Sequence, residues 1–128
     1  MIDSISSGIR VIVTPSFQGC YQTGDTIWNA FSYSISIENT GKHSVQLLSR
    51  FWLIKDSLFP TEIVEGEGVV GATPTLHPGS TFIYNSNVSL KSGIGAMKGH
   101  YTFRNLDNNR LIKARIPCFQ LNSLFKLN

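Results

Sequence analysis

Three glycines, Gly66, Gly68 and Gly71, stand in G-x-G-x-x-G spacing within the stretch from Val64 to Gly79. In nucleotide-binding folds this spacing lets the backbone turn tightly, and a following helix offers its N-terminus to a pyrophosphate. The chemistry needs a strand before the glycines and a helix after them. Here Pro74 and Pro78 follow almost at once, and proline at both positions argues against a helix. Glu65 and Glu67 would repel a phosphate. A looser anion nest of backbone N–H groups stays open. The reading favoured by the residues is conformational: glycine sits where φ is positive or another backbone comes close. The stretch is then an irregular crossover between two sheets, with Val69 and Val70 packed into the sandwich edge.

Other chemistry is not indicated. His43, His77 and His100 lie in separate segments without an i+2 or i+4 partner, so zinc-type spacing is absent and no metal site is expected. No G-x-S-x-G elbow is present, and the eight carboxylates form no apolar-flanked pair for acid–base work. The sequence therefore predicts no catalytic residue and no cofactor. Cys20 and Cys118 are far apart and form no C-x-x-C; both are expected to be small buried hydrophobes.

Bulk properties narrow the class. The chain has 128 residues, enough for one domain with one core, expected over 1–128 with its ordered part about 8–121. The net charge of +3 is unaccompanied by any Lys/Arg run, so nucleic acid is not an expected partner. No apolar run approaches a membrane span, and the first residues lack a signal-peptide core, so a cytoplasmic protein without membrane insertion is expected.

The elements must then position what remains. Phe31, Tyr33, Ile35 and Ile37 alternate with Ser32, Ser34, Ser36 and Glu38. That period of two marks a half-buried strand. Ile9 to Val13 alternates likewise, and Pro15 is expected to end it. Ser16 to Gly24 reads as an irregular loop with a short edge strand near Cys20. Val45 to Lys55 has apolar groups on both faces, Leu47, Phe51 and Leu53 on one and Leu48, Trp52 and Ile54 on the other with Arg50. Glu62 to Glu65 and Thr81 to Val88 read as strands, the latter with Phe82 and Tyr84 inward, and Ser89 to Gly99 as a loop. His100–Arg104 and Leu111–Ile116 form a hairpin that pairs Phe103 with Ile112 and Tyr101 with Ala114. Its outward residues include His100, Arg104, Lys113 and Arg115, a basic stripe suited to an acidic partner. No segment shows a helical stripe. Seven or eight short strands with Gly/Pro/Asn punctuation predict an all-β sandwich of two antiparallel sheets.

One pattern covers the chain from Gly8 to Leu121: Ile37 to Gly41, Val45 to Arg50 with Trp52, Glu65 to Gly71 with Pro74, Leu76 with Pro78-Gly79, Met97 with Gly99 and Tyr101, and Ile116-Pro117 with Phe119. It resembles the ApaG family of small bacterial proteins and domains. The resemblance implies an immunoglobulin or fibronectin type III-like β-sandwich. It also implies a non-catalytic protein-interaction module, linked in bacteria to cobalt and magnesium tolerance, with Arg50 and the basic stripe as its candidate surface. The partner would be an unidentified protein, and weak self-association through sheet edges stays open. The alternative is a nucleotide or pyrophosphate binder, or a weak nucleoside-polyphosphate hydrolase, using Gly66, Gly68 and Gly71. Where the family often carries histidine after the arginine, this chain has Phe51, so a ligand role for that histidine does not carry over.

Overall fold

The computed structural model describes residues 1–124 and is built from strands: β1 (Ile2–Ser6), β2 (Ile9–Thr23), β3 (Thr26–Asn39), β4 (Val45–Asp56), β5 (Phe59–Glu67), β6 (Thr75–Leu76), β7 (Thr81–Leu90), β8 (Ile94–Asn105) and β9 (Leu111–Asn122). One sheet has the order β1-β2-β3-β7. The other has the order β5-β4-β8-β9, with β6 also on β4. All pairings are antiparallel. The expected sandwich of two antiparallel sheets is the fold.

β3 follows its sequence pattern residue by residue. Phe31, Tyr33, Ile35 and Ile37 are buried, and the serines between them are half-buried on the other face. Burying each such apolar side chain contributes roughly 1.5–3 kcal/mol, so this strand anchors the core. The β8–β9 hairpin also has the expected register, with Phe103 opposite Ile112 and Tyr101 opposite Ala114.

Irregular strands account for the differences. β2 does not stop at Pro15 but runs to Thr23, so the residues expected to form a loop are strand. β1 pairs β2 only from Ile9 to Val13. Beyond it the outer side of β2 is open, and a missing proline N–H leaves no ladder bond unmade. A bulge between Phe17 and Gly19 then bends the strand. β8 likewise begins at Ile94, inside the expected Ser89–Gly99 loop, with Gly95 and Gly99 as strand residues. A Cβ at Gly99 would collide with the Phe51 carbonyl oxygen, and one at Gly95 with that of Lys55. These glycines let the backbone of β4 approach.

β4 shifts register between Leu47 and Ser49 against β8. The extra residue inverts the alternation. Leu47 and Trp52 therefore both face the core, while Phe51 and Leu53, expected beside Leu47, are only half-buried. Both cysteines are exposed rather than buried, each on the solvent side of its strand. β9 runs to Asn122, one residue past the expected ordered part, and β1 extends it at the N-terminal end; residues 125–128 lie outside the described part.

The two sides of the sandwich close differently. At one side β1 meets β9 through hydroxyls: Ser4 Oγ donates to the Arg115 carbonyl at 3.0 Å, Ser7 Oγ to the Lys113 carbonyl at 2.9 Å, and the Arg115 N–H donates to Ser6 Oγ at 2.7 Å. At the other side the edges are β5 and β7. No backbone hydrogen bond joins β5 to β7 among the described residues.

Gly99→Ala is expected to destabilise the fold by about 1–3 kcal/mol, because the added methyl must push β4 away. A urea melt of the variant beside the parent checks it; an unchanged midpoint would show that the approach of β4 is not tight.

The glycine turn and the seam cleft

The glycine stretch leaves and rejoins the same strand. β5 pairs β4 from Ser49 to Asp56, and β6 pairs it again at Val45 and Gln46. Both run antiparallel to β4, so they act as one interrupted edge strand with the intervening residues looped out. The expected crossover between sheets is therefore not here; it follows β6, through His77 to Ser80. The loop is fastened at both ends, by the Gly68 N–H to the Leu48 carbonyl at 2.8 Å and the Leu47 N–H to the Pro74 carbonyl at 3.0 Å. Its tip is a two-residue hairpin. The Val69 N–H donates to the Ala72 carbonyl and the Ala72 N–H to the Val69 carbonyl, both at 2.9 Å. Val70 and Gly71 between them have φ of 42° and 80°, the left-handed pair that such a turn requires. Val69 is fully buried as expected, but Val70 is 61% exposed because it occupies the turn tip.

Each motif glycine has its own reason. Gly68 has φ of 63°, and a Cβ there would collide with the Ala72 carbonyl oxygen. Gly71 needs only its positive φ, since nothing lies within 4 Å of where its Cβ would be. Gly66 lies opposite Arg50 in the β4–β5 ladder, and a Cβ there would come within 2.7 Å of Arg50 Nη2. The guanidinium thus lies flat over Gly66. Its Nη1 donates to the carbonyls of Glu67 and Gly68, each at 2.9 Å. A phosphate cradle needs converging free N–H groups. Here the amides of Gly68, Val69 and Ala72 are hydrogen-bonded within the fold, and the carbonyls of Glu67 and Gly68 point at the cation.

Beyond the guanidinium the open side of the sandwich forms a cleft of about 290 Å³. Tyr33, Trp52 and Met97 line it from within the sandwich, Val64 from β5, and Ser86 and Val88 from β7. The aromatic walls interlock: Tyr33 meets Trp52 edge-on with centroids 5.6 Å apart, and Phe119 packs on both rings. Of the residues expected to form a surface, His100, Arg104, Lys113 and Arg115 do share the outer face of β8 and β9. Arg50 lines a shallow pocket beside His100 and Lys113, but it is half-buried and its guanidinium lies over Gly66 rather than in the stripe. His100 stacks on Phe51 with centroids 5.0 Å apart and planes at 13°. Burial and the nearby Lys113 charge lower its pKa, against an upward pull from Glu65. The three histidines stay apart: His43 Nδ1 lies 2.6 Å from Asp107, and His77 Nδ1 lies 2.9 Å from Ser44 Oγ. Among the described residues no group of three or more His, Cys, Asp or Glu is placed to hold a metal ion.

A family model for the ApaG domain matches residues 23–105. The chain belongs to the ApaG family. It is 38% identical over 122 residues to Protein ApaG of Xanthobacter autotrophicus, covering 95% of this chain and 93% of that one. With Protein ApaG of Xanthomonas oryzae the identity is 42% over 114 residues, 89% of each chain. Among solved structures, a structural-genomics X-ray structure superposes with a TM-score of 0.85 at 33% identity, covering 90% of this chain and 86% of that one. A Bordetella pertussis protein titled ApaA superposes at 0.79 with 32% identity, covering 95% and 97%. In this ApaG chain the glycine motif and the Leu48–Arg50 segment are thus two halves of one contact.

Sequence reasoning missed the polar tie inside the core. Tyr84 of β7 and Tyr101 of β8 share a buried hydrogen bond between their hydroxyls at 2.5 Å, joining the two sheets. Tyr101 stood out only as an inward hairpin residue, and no spacing in the sequence links it to Tyr84. Burial pushes both hydroxyl pKa values up, and their mutual hydrogen bond lowers that of Tyr84 only in part.

Two outcomes are expected. Gly68→Ala destabilises by about 1–3 kcal/mol through strain and collision, Gly71→Ala by about 1 kcal/mol, and Val70→Gly is neutral or stabilising because it relieves a left-handed valine. Urea melts of the three check this ordering; a Gly68→Ala protein as stable as the parent would contradict it. Separately, the tyrosines ionise near 10.0 when unfolded and higher when folded. Raised folded values mean that their stabilisation is complete below that pH and is lost as pH rises toward the folded pKa. Melts at pH 9 to 11 should show this loss, and it should shrink in the Tyr84→Phe/Tyr101→Phe double variant.

Proposed function

We propose that this ApaG-family protein is a non-catalytic interaction module that engages a protein partner along its open side. The observation that supports this most is the unequal closure of the sandwich. Hydroxyls cover the β9 edge against β1, whereas β5 and β7 are free edges flanking a cleft. Free edges are templates for strand pairing and are normally blunted or covered. The exposed apolar residues Ile63 on β5 and Ile83 on β7, at 60% and 65% exposure, lie on these two edges. The family's link to cobalt and magnesium tolerance then runs through the partner and not through a metal bound here. The reading that makes the glycines a nucleotide site has less support, because the amides of Gly68, Val69 and Ala72 are already hydrogen-bonded.

Ile63→Lys and Ile83→Lys should each remove a partner recovered by crosslinking from the native host, while Ile5→Lys on the hydroxyl-sealed side keeps it. All three positions are exposed, so stability should change by no more than about 0.5 kcal/mol. In a host lacking the protein, growth under cobalt or magnesium stress should be restored by the parent and by Ile5→Lys alone. Equal recovery by all three variants would overturn the assignment of the open side.

A further inference from the structure

The seam cleft contains a charge that the fold does not neutralise. Arg50 is the one charged residue among those lining it. Its Nη1 is held by two carbonyl oxygens, and these are dipoles, not anions. Among the described residues the salt bridge is Arg10 with Asp3, and the close His43–Asp107 contact is the other acid–base pairing; neither includes Arg50. Glu65 pairs with Phe51, one residue out of phase with the Arg50–Gly66 pair, so it alternates to the other face of the ladder and makes no ion pair with Arg50. The guanidinium lies over Gly66 and is held by the carbonyls of Glu67 and Gly68, and its field reaches Tyr33, Tyr84 and Tyr101, where burial dominates and the charge of Arg50 opposes it. A guanidinium pre-oriented at the rim of an aromatic wall is suited to a planar carboxylate, because two N–H groups match two oxygens.

We infer that the seam cleft is a binding site for a carboxylate carried on a small apolar or aromatic group, with Arg50 as the anion anchor and Tyr33, Trp52, Val64 and Met97 as the apolar floor. The size suits a small ligand: about 290 Å³ lies just below the range of drug-sized ligand pockets, roughly 300–1,000 Å³, and is enough for one ring or branched side chain. A nucleoside polyphosphate fits neither the volume nor a single cation. The carboxylate has two possible sources, a free small acid or the C-terminal residue of a polypeptide. Ser86 and Asn87 at the β7 lip offer hydroxyl and amide groups to either. This goes beyond the interaction reading and is tested on purified protein without any partner, so its failure leaves the edge assignment standing.

The test is a calorimetric titration with 3-phenylpropionate and with its amide, and with the peptide Ala-Ala-Phe as free acid and as amide. The acids should bind saturably, and each amide should bind about tenfold more weakly or worse, the loss of one charge-assisted pair. Arg50→Lys should weaken the acids by a similar factor. Because Arg50 also braces the glycine turn, Ser86→Leu provides the independent check: it fills the cleft from the β7 side and should abolish binding while the protein remains cooperatively folded. Stronger binding of the peptide acid assigns the source to a chain terminus, and the reverse order to a free acid. Equal binding of acid and amide, acid binding that survives Ser86→Leu, or no saturation by either acid would overturn the site.

Discussion

The contact between Arg50 and the glycine stretch sets the shape of the open side. One guanidinium nitrogen holds the carbonyls of Glu67 and Gly68, and the flat head fits only because Gly66 lacks a side chain. Hydrogen bonds to a charged group are worth roughly 1.5–3 kcal/mol, so the arginine can hold a left-handed turn that contains a valine. With the loop fastened, β5 ends where it does and β6 resumes on β4. The seam between the sheets is left uncovered as a result. The G-x-G-x-x-G spacing follows from this arrangement: one glycine to admit the guanidinium, one to admit a carbonyl, one to turn.

A second constraint acts through the core. Tyr84 and Tyr101 belong to different sheets, and their hydroxyls satisfy each other inside a core otherwise built of apolar side chains, with Ile35 opposite Tyr84 and Phe103 against Tyr101. A buried hydroxyl without a partner costs about 1–3 kcal/mol, so the pair fixes the lateral position of one sheet over the other more narrowly than apolar packing would. Asn39 does similar work at the end of the sandwich. It is almost fully buried, donates its amide to the His43 and Leu76 carbonyls, and accepts from the Gly41 N–H.

Where the chain is regular, its sequence was sufficient. The Phe31–Ile37 alternation and the Phe103–Ile112 register follow from a period of two, and the structure repeats them. The readings that failed share one cause. Proline and glycine were taken as strand ends, yet Pro15 lies on an open edge and Gly95 and Gly99 lie where another backbone comes close. One bulge at Leu48 reversed the faces of the rest of its strand. Such features depend on what the neighbouring strand does, and a single strand's pattern carries no record of its neighbour. The site was half legible for the same reason. Gly66 and Arg50 each stood out by type, but their pairing required the β4–β5 ladder.

The hydroxyl seal between β1 and β9 separates openness of form from looseness of motion. The seam cleft is open to solvent, but its walls are interlocked aromatic rings that cannot move singly. The opposite side is closed, yet Ser4, Ser6 and Ser7 close it with bonds that water can replace. β1 can therefore lift as a short unit while the sandwich stays folded, because little apolar surface resists it. Amide hydrogens of β1 should exchange early and those of β3 and β8 late. Opening on that side, away from the cleft, would leave the spacing of the cleft walls undisturbed.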